Sequence, residues 1–267
     1  MSEYLESHAF AVEQDSKSLF CTMNKILEIA RITKRFGGLV ALWEITFSLR
    51  EGETTGLIGP NGAGKTTLFN IICGVKPDSG QISFRGEDIT GLKPNEICHK
   101  GIARTFQLIR PFANLPVIDN VACAILFGRL KKEIASLREA REMAGDILEK
   151  VKLDHRISTP ARELVFAEGR RMEMARALAT GPELLLLDEV MAGLSSAESK
   201  EMLDIMEGLK QEHGLTILMI EHTMKLVTAM CNRVVVLNFG QKLAEGPSSE
   251  VLQSAEVIKA YLGDEDA

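Results

Sequence analysis

Apolar and polar residues alternate along KILEIARI (25–32) and LWEITFSL (42–49), the period-two pattern of strands with one buried face. ETTGLIG (53–59) continues as a third strand that runs straight into a glycine-rich turn. QISFRGEDITG (81–91) extends this antiparallel β layer, a short helix follows near 94–100, and GIARTFQ (101–107) reads as another strand. From about 118 to 163 the period changes to that of a helix: Ile134, Leu137, Ala140, Ala144, Ile147, Leu148 and Val151 recur at steps of three and four. Beyond it, ELLLLDE (183–189) and LTILMI (215–220) read as buried strands, 197–212 and 222–230 as helices, and RVVVLNF and QKLAEG as closing strands. Strands alternating with helices predict a largely parallel sheet covered on both faces, with the helical block inserted as a subdomain at about 108–170.

Composition narrows the picture. A chain of 267 residues, 45% hydrophobic and 25% charged, has room for a full core, and no apolar run approaches the ~20 residues of a membrane-spanning helix. A net charge of −6 without basic tracts argues against a nucleic-acid partner, since affinity for phosphate backbones comes from clustered Lys and Arg. Five cysteines, odd in number and without CxxC pairing, indicate neither a disulfide framework nor a zinc site and fit a reducing cytoplasm. Residues 1–23 read as a disordered extension without the features of a secretory signal, with Met23 as an alternative start, and 264–267 as a tail.

Candidate chemistry begins at Gly59-Pro60-Asn61-Gly62-Ala63-Gly64-Lys65-Thr66, which satisfies G-x-x-x-x-G-K-[ST] between a predicted strand and a predicted helix. The glycines let several backbone N–H groups converge on one phosphate, the helix N-terminus adds partial positive charge, and Lys65 reaches the outer phosphates. Thr66 is expected to ligate Mg²⁺ and Thr67 to touch an inner phosphate. A carboxylate is required beside this loop, and four leucines leading into Asp188 and Glu189 supply it. Asp188 is expected to hold the Mg²⁺ shell, and Glu189 to polarise the attacking water as general base. In isolation, an Asp-Glu pair at a strand end is more often merely solvated.

Together with FGGLVAL (36–42), EMARALAT (173–180), AGLSSAE (192–198), MIEHTMKLV (219–227) and AYLG (260–263), these stretches resemble the ATP-binding subunits of ABC transporters. Within that family the chain is similar to the ATPases of branched-chain amino acid importers. The resemblance spans 24 to about 263. It implies an α/β P-loop NTPase core with an antiparallel β subdomain and an inserted helical subdomain. It also implies that Phe36 stacks on adenine, that Gln107 senses Mg²⁺ and the lytic water, and that His222 contacts the terminal phosphate. Singly, an aromatic beside two glycines is often core, and a lone Gln or His often only solvated. The implied partners are a second ATPase chain, membrane permeases and, indirectly, a periplasmic binding protein, on the cytoplasmic side of the membrane. The alternatives are a catalytically weak regulatory subunit and an ATPase of the lipopolysaccharide-export type.

ELVFAEGRRMEMARAL (163–178) departs from the family. Its helix pattern runs from Arg170 with no Ser, Thr, Asp or Asn as cap. Aligned on the family's Leu-Ser-x-Gly-Gln, which completes the ATP site of the opposite chain, Val165 stands at the serine, Ala167 at the glycine and Glu168 at the glutamine. Valine has no hydroxyl, and Glu168 brings negative charge towards a polyanion unless Arg170 or Arg171 offsets it. The site this segment faces is therefore expected to be weak, which favours a heterodimer over a homodimer. Val190 in place of proline, Ser195-Ser196 in place of Asn-Pro, and Thr223 in place of aspartate are smaller departures.

Overall fold

The computed structural model describes residues 24–129 and 134–262, so the expected N-terminal extension, the alternative start and the tail lie outside the described residues. Two sheets carry the chain. The first is antiparallel, in the order β2-β1-β4-β5, from β1 (Lys25–Phe36), β2 (Leu39–Arg50), β4 (Ser79–Phe84) and β5 (Glu87–Asp88). β1 and β2 run longer than the alternation predicted because irregular pairing, with Arg31 and Glu44 in the left-handed region, interrupts the clean period.

The second sheet has the order β10-β9-β3-β8-β7-β6, from β3 (Thr54–Ile58), β6 (Ile102–Arg104), β7 (Leu184–Asp188), β8 (Thr216–Ile220), β9 (Arg233–Asn238) and β10 (Gln241–Pro247). It is parallel except for the β9–β10 hairpin. Its unbroken apolar runs are explained by burial on both sides. Leu184, Leu186, Leu218, Ile220, Val235 and Leu237 face a core shared with the antiparallel sheet and with α1 (Lys65–Ile72). Leu185, Leu187, Ile217, Met219, Val234 and Val236 face the opposite core, against α6 (Ser196–His213) and α7 (Met224–Met230).

GIARTFQ is strand only over Ile102–Arg104. β6 is an edge strand paired with β7 alone, so little holds the chain in the sheet after the Thr105 N–H bond to Leu186 O. Phe106 and Gln107 turn away into the open.

The block read as helical from 118 to 163 holds α3 (Val117–Phe127) and α4 (Leu137–Lys150), then single 3₁₀ turns at Asp154–Arg156 and Ala161–Glu163, after α2 (Pro94–Lys100). Ser136 caps α4 by accepting the Glu139 N–H, and Lys152, at φ +55°, turns the chain out of it. α3 and α4 share one core with α5 (Phe166–Ala179). Asn120, fully buried in α3, accepts from Phe112 N–H at 2.8 Å and donates to the carbonyls of Phe112 and Pro116, which fixes the loop that follows Gln107. Two short helices, α8 (Ser248–Val251) and α9 (Ala255–Leu262), end the described chain. No helix among the described residues is long and apolar enough to cross a membrane.

Candidate functional site

The phosphate loop leaves the end of β3 and enters α1 at Lys65. At Gly59, with φ +146°, a Cβ would sit 2.0 Å from Leu237 O; at Gly64, with φ +101°, it would sit 2.6 Å from Leu42 Cδ2. Both positions therefore demand glycine for backbone angle and for space. Ala63 is buried, Pro60 is half-buried, and Asn61 and Gly62 are exposed at the turn. Lys65 bends back over the loop and donates to Gly59 O at 2.6 Å and Pro60 O at 2.9 Å. Burial pulls its ammonium pKa down, while the carboxylates of Glu189 and Asp188 oppose that shift. Thr66 is open to solvent, and Thr67 is half-buried one position further along α1.

The end of β7 brings the two carboxylates to this loop. Asp188 is buried, and Arg104 at the end of β6 donates to its Oδ2 at 2.6 Å. The same guanidinium donates to Asn70 Oδ1 in α1 at 2.7 Å and lies over the rings of Phe69 and Phe106. Sequence reasoning passed over Arg104, although an arginine closing a strand three residues before Gln107 was a visible signal.

Glu189 adopts φ +50°, an uncommon conformation for a side chain of this size. Its Oε2 accepts from Gln107 Nε2 at 2.8 Å, and its Oε1 lies 2.7 Å from His222 Nε2. A carboxylate only accepts, so the proton on that ring sits on Nε2. Two residues from different loops, more than a hundred positions apart, thus converge on one carboxylate. Thr66, Asp188 and Gln107 border one cavity of about 690 Å³, and Glu189 and His222 border a neighbouring one of about 470 Å³. Phe36 is 54% exposed at the end of β1, with Lys34 Nζ 5.5 Å from its ring centre.

The segment 163–178 corrects two expectations. The helix begins at Phe166, not Arg170, with Val165 as its N-cap residue. Valine offers no acceptor, so the cap is one-sided: Glu168 reaches back and accepts the Val165 N–H at 3.1 Å. Glu168 is buried, and the cation that offsets it is Arg156, whose Nε donates at 2.8 Å. Arg170 instead donates to Phe106 O, and Arg171 to Lys152 O. Val165 and Phe166 are exposed at the helix start, whereas Ala167 is buried. Ser195, a departure from the family in sequence, caps α6 in a reciprocal pair with Glu198.

Burial pushes the Glu168 carboxyl up, but hydrogen bonds from Arg156 and the Val165 N–H outweigh it and leave the pKa lowered. A lowered folded pKa adds stability above the unfolded value, and that stability is lost as pH falls through the folded value. Glu168→Gln is expected to cost about 1 kcal/mol near neutral pH, with the difference from wild type shrinking below about pH 4. Denaturant unfolding at both pH values checks this; an equal deficit at both would show that the charge plays no part.

With this geometry in view, the chain compares closely with known proteins. The family described as ABC transporter matches residues 42–192, and that described as branched-chain amino acid ATP-binding cassette transporter matches 241–267. The chain is 40% identical to the high-affinity branched-chain amino acid transport ATP-binding protein BraF of Pseudomonas aeruginosa, over 90% of this chain and 98% of that one. It is 39% identical to LivG of Escherichia coli K12, named in the same words, at the same coverage. Among solved structures, the ATP-binding cassette MJ1267 superposes with a TM-score of 0.82 at 34% identity, covering 90% of this chain and all of that one. The fold class read from the sequence is the fold observed. The chain therefore belongs to the ABC transporter family and is an ATPase coupled to transmembrane transport, similar to the cassettes of branched-chain amino acid importers.

Proposed function

We propose that this chain hydrolyses MgATP at the inner face of a membrane to energise uptake of a small solute of the branched-chain amino acid type. The observation that carries the chemistry is Glu189, gripped on both oxygens by Gln107 and His222 beside the phosphate loop. The relatives' names supply the cargo class. They give no support to a lipopolysaccharide-export or purely regulatory role.

The amides of 59–64 cradle the outer phosphates, Lys65 neutralises them, and Phe36 stacks on the base. Each oxygen of Glu189 keeps a lone pair beyond its present partner. The carboxylate therefore accepts a proton from water as its oxygen attacks the terminal phosphorus, and the bond to the bridging oxygen of ADP breaks. His222 holds the carboxylate in place through its Nε2–H, beside the terminal phosphate. The Thr66 hydroxyl, the Gln107 amide and the Asp188 carboxylate border one cavity. That set of hard oxygen donors would fit Mg²⁺, which would supply positive charge against the negative charge developing on the phosphates.

A second, different ATPase chain completes the assembly, together with permeases and, outside the membrane, a solute-binding protein. Val165, 60% exposed and without a hydroxyl, supports a weak site on the face that α5 offers to its partner. The negative charge of Glu168 no longer contributes to that argument, because the carboxylate is turned inward. The test compares ATP hydrolysis and leucine uptake by vesicles holding the permeases with this chain alone, or with both ATPase chains. Uptake only with both is expected; full-rate hydrolysis and uptake with this chain as a homodimer would overturn the heterodimer.

A further inference from the structure

The strand-end turn that presents Glu189 is secured on one side by a buried acid outside the machinery described above. Glu221, between β8 and His222, is 4% exposed. Its Oε1 accepts the N–H of Met191, two residues past Glu189, at 3.2 Å. On the other side, the Glu189 N–H bonds to Ile220 O, and the Ala192 N–H closes the turn on Glu189 O. The turn needs such fastening. Glu189 is left-handed, and Val190 follows it where a proline would lock the backbone. Met191 is itself buried, so its N–H has no water to turn to and depends on a protein acceptor.

We infer that Glu221 is a positioning residue for ATP hydrolysis: it ties the turn carrying Glu189 to the loop carrying His222 and so keeps their side chains 2.7 Å apart. The inference rests on the ATPase reading of the site. It extends that reading to a residue that touches neither nucleotide nor water. Because Glu221 abuts His222 in sequence and Met191 in space, a single carboxyl oxygen sets the spacing of two loops from different strands. Burial raises the Glu221 pKa against the pull of the Met191 and His222 N–H groups. The Met191 N–H asks for an acceptor oxygen, and glutamine supplies one at the same reach.

The experiment measures MgATP affinity, kcat and KM on the full chain in its working transporter for wild type, Glu221→Gln, Glu221→Ala and Glu221→Asp. Glu221→Ala is expected to lower kcat at least about 10-fold while nucleotide affinity and KM stay within about threefold, because the phosphate loop is untouched. Glu221→Gln is expected to stay within about threefold of wild type in every parameter. Should the alanine variant not fold, Glu221→Asp, whose carboxyl is one methylene short of Met191, gives the same kcat-selective loss. A wild-type kcat in Glu221→Ala or Glu221→Asp overturns the inference. So does a glutamine variant as slow as alanine, or a loss of nucleotide affinity that matches the loss of turnover. Wild type that takes up no MgATP overturns the ATPase reading itself, and the inference with it.

Discussion

Glu189→Gln is expected to bind MgATP as tightly as wild type and to release phosphate about 10²–10⁴-fold more slowly. Glutamine keeps the length of the side chain and an oxygen for the Gln107 amide or the His222 ring, but it cannot take a proton from water. The phosphate loop meets Glu189 only through space, so the ground-state complex survives. Equilibrium binding and single-turnover phosphate release on the same preparation separate the two effects. A variant that retained a tenth or more of wild-type turnover would place the base elsewhere. A variant that lost binding in proportion would make Glu189 a structural residue.

The second large effect falls on stability. Arg104→Met leaves Asp188, whose side chain is 6% exposed, as a buried carboxylate without its guanidinium, and strips Asn70 of a donor. Removing one partner of a buried ion pair costs about 3–5 kcal/mol, because the remaining charge loses the cation hydrogen-bonded to it and burial keeps water from taking its place. For a domain of this size that corresponds to a fall in Tm of about 10 °C. Methionine roughly conserves the volume between Phe69 and Phe106, so a cavity is not the source of the loss. Adding Asp188→Asn should recover much of the deficit by removing the stranded charge, although it also removes a carboxylate expected at the metal. Calorimetry on the single and double variants decides it. A single variant within about 1 kcal/mol of wild type, or a double variant less stable than the single, would show that the pair does not secure this junction.

Much of the architecture was legible in the chain because its local rules agree with one another. LLLL ahead of Asp188 reads as a buried strand, and the structure divides those leucines between two cores by simple alternation. Pro94 near a helix start and Gly214 just past a helix end act where their backbone preferences predict. Where the reading slipped, a long-range partner had decided the matter. GIARTFQ has strand composition throughout, yet it leaves the sheet at Arg104, because an edge strand has one neighbour and Gln107 finds Glu189. The missing cap at 163–166 was no defect. Glu168 takes the Val165 N–H from inside the helix, held by an arginine twelve residues earlier that no local pattern marks.

The sequence alone determined the chemical inventory of this protein: a phosphate loop, a carboxylate after a buried strand, and the residue types that accompany them. Spacing and backbone preference act over a few residues, and they suffice for that much. Only the tertiary structure decided which groups meet. It placed Gln107 and His222 on Glu189, Arg104 on Asp188, Arg156 on Glu168 and Glu221 on Met191. The physical reason is that a buried charge or N–H must find a partner wherever the fold brings one, and sheet order rather than chain order sets those neighbours.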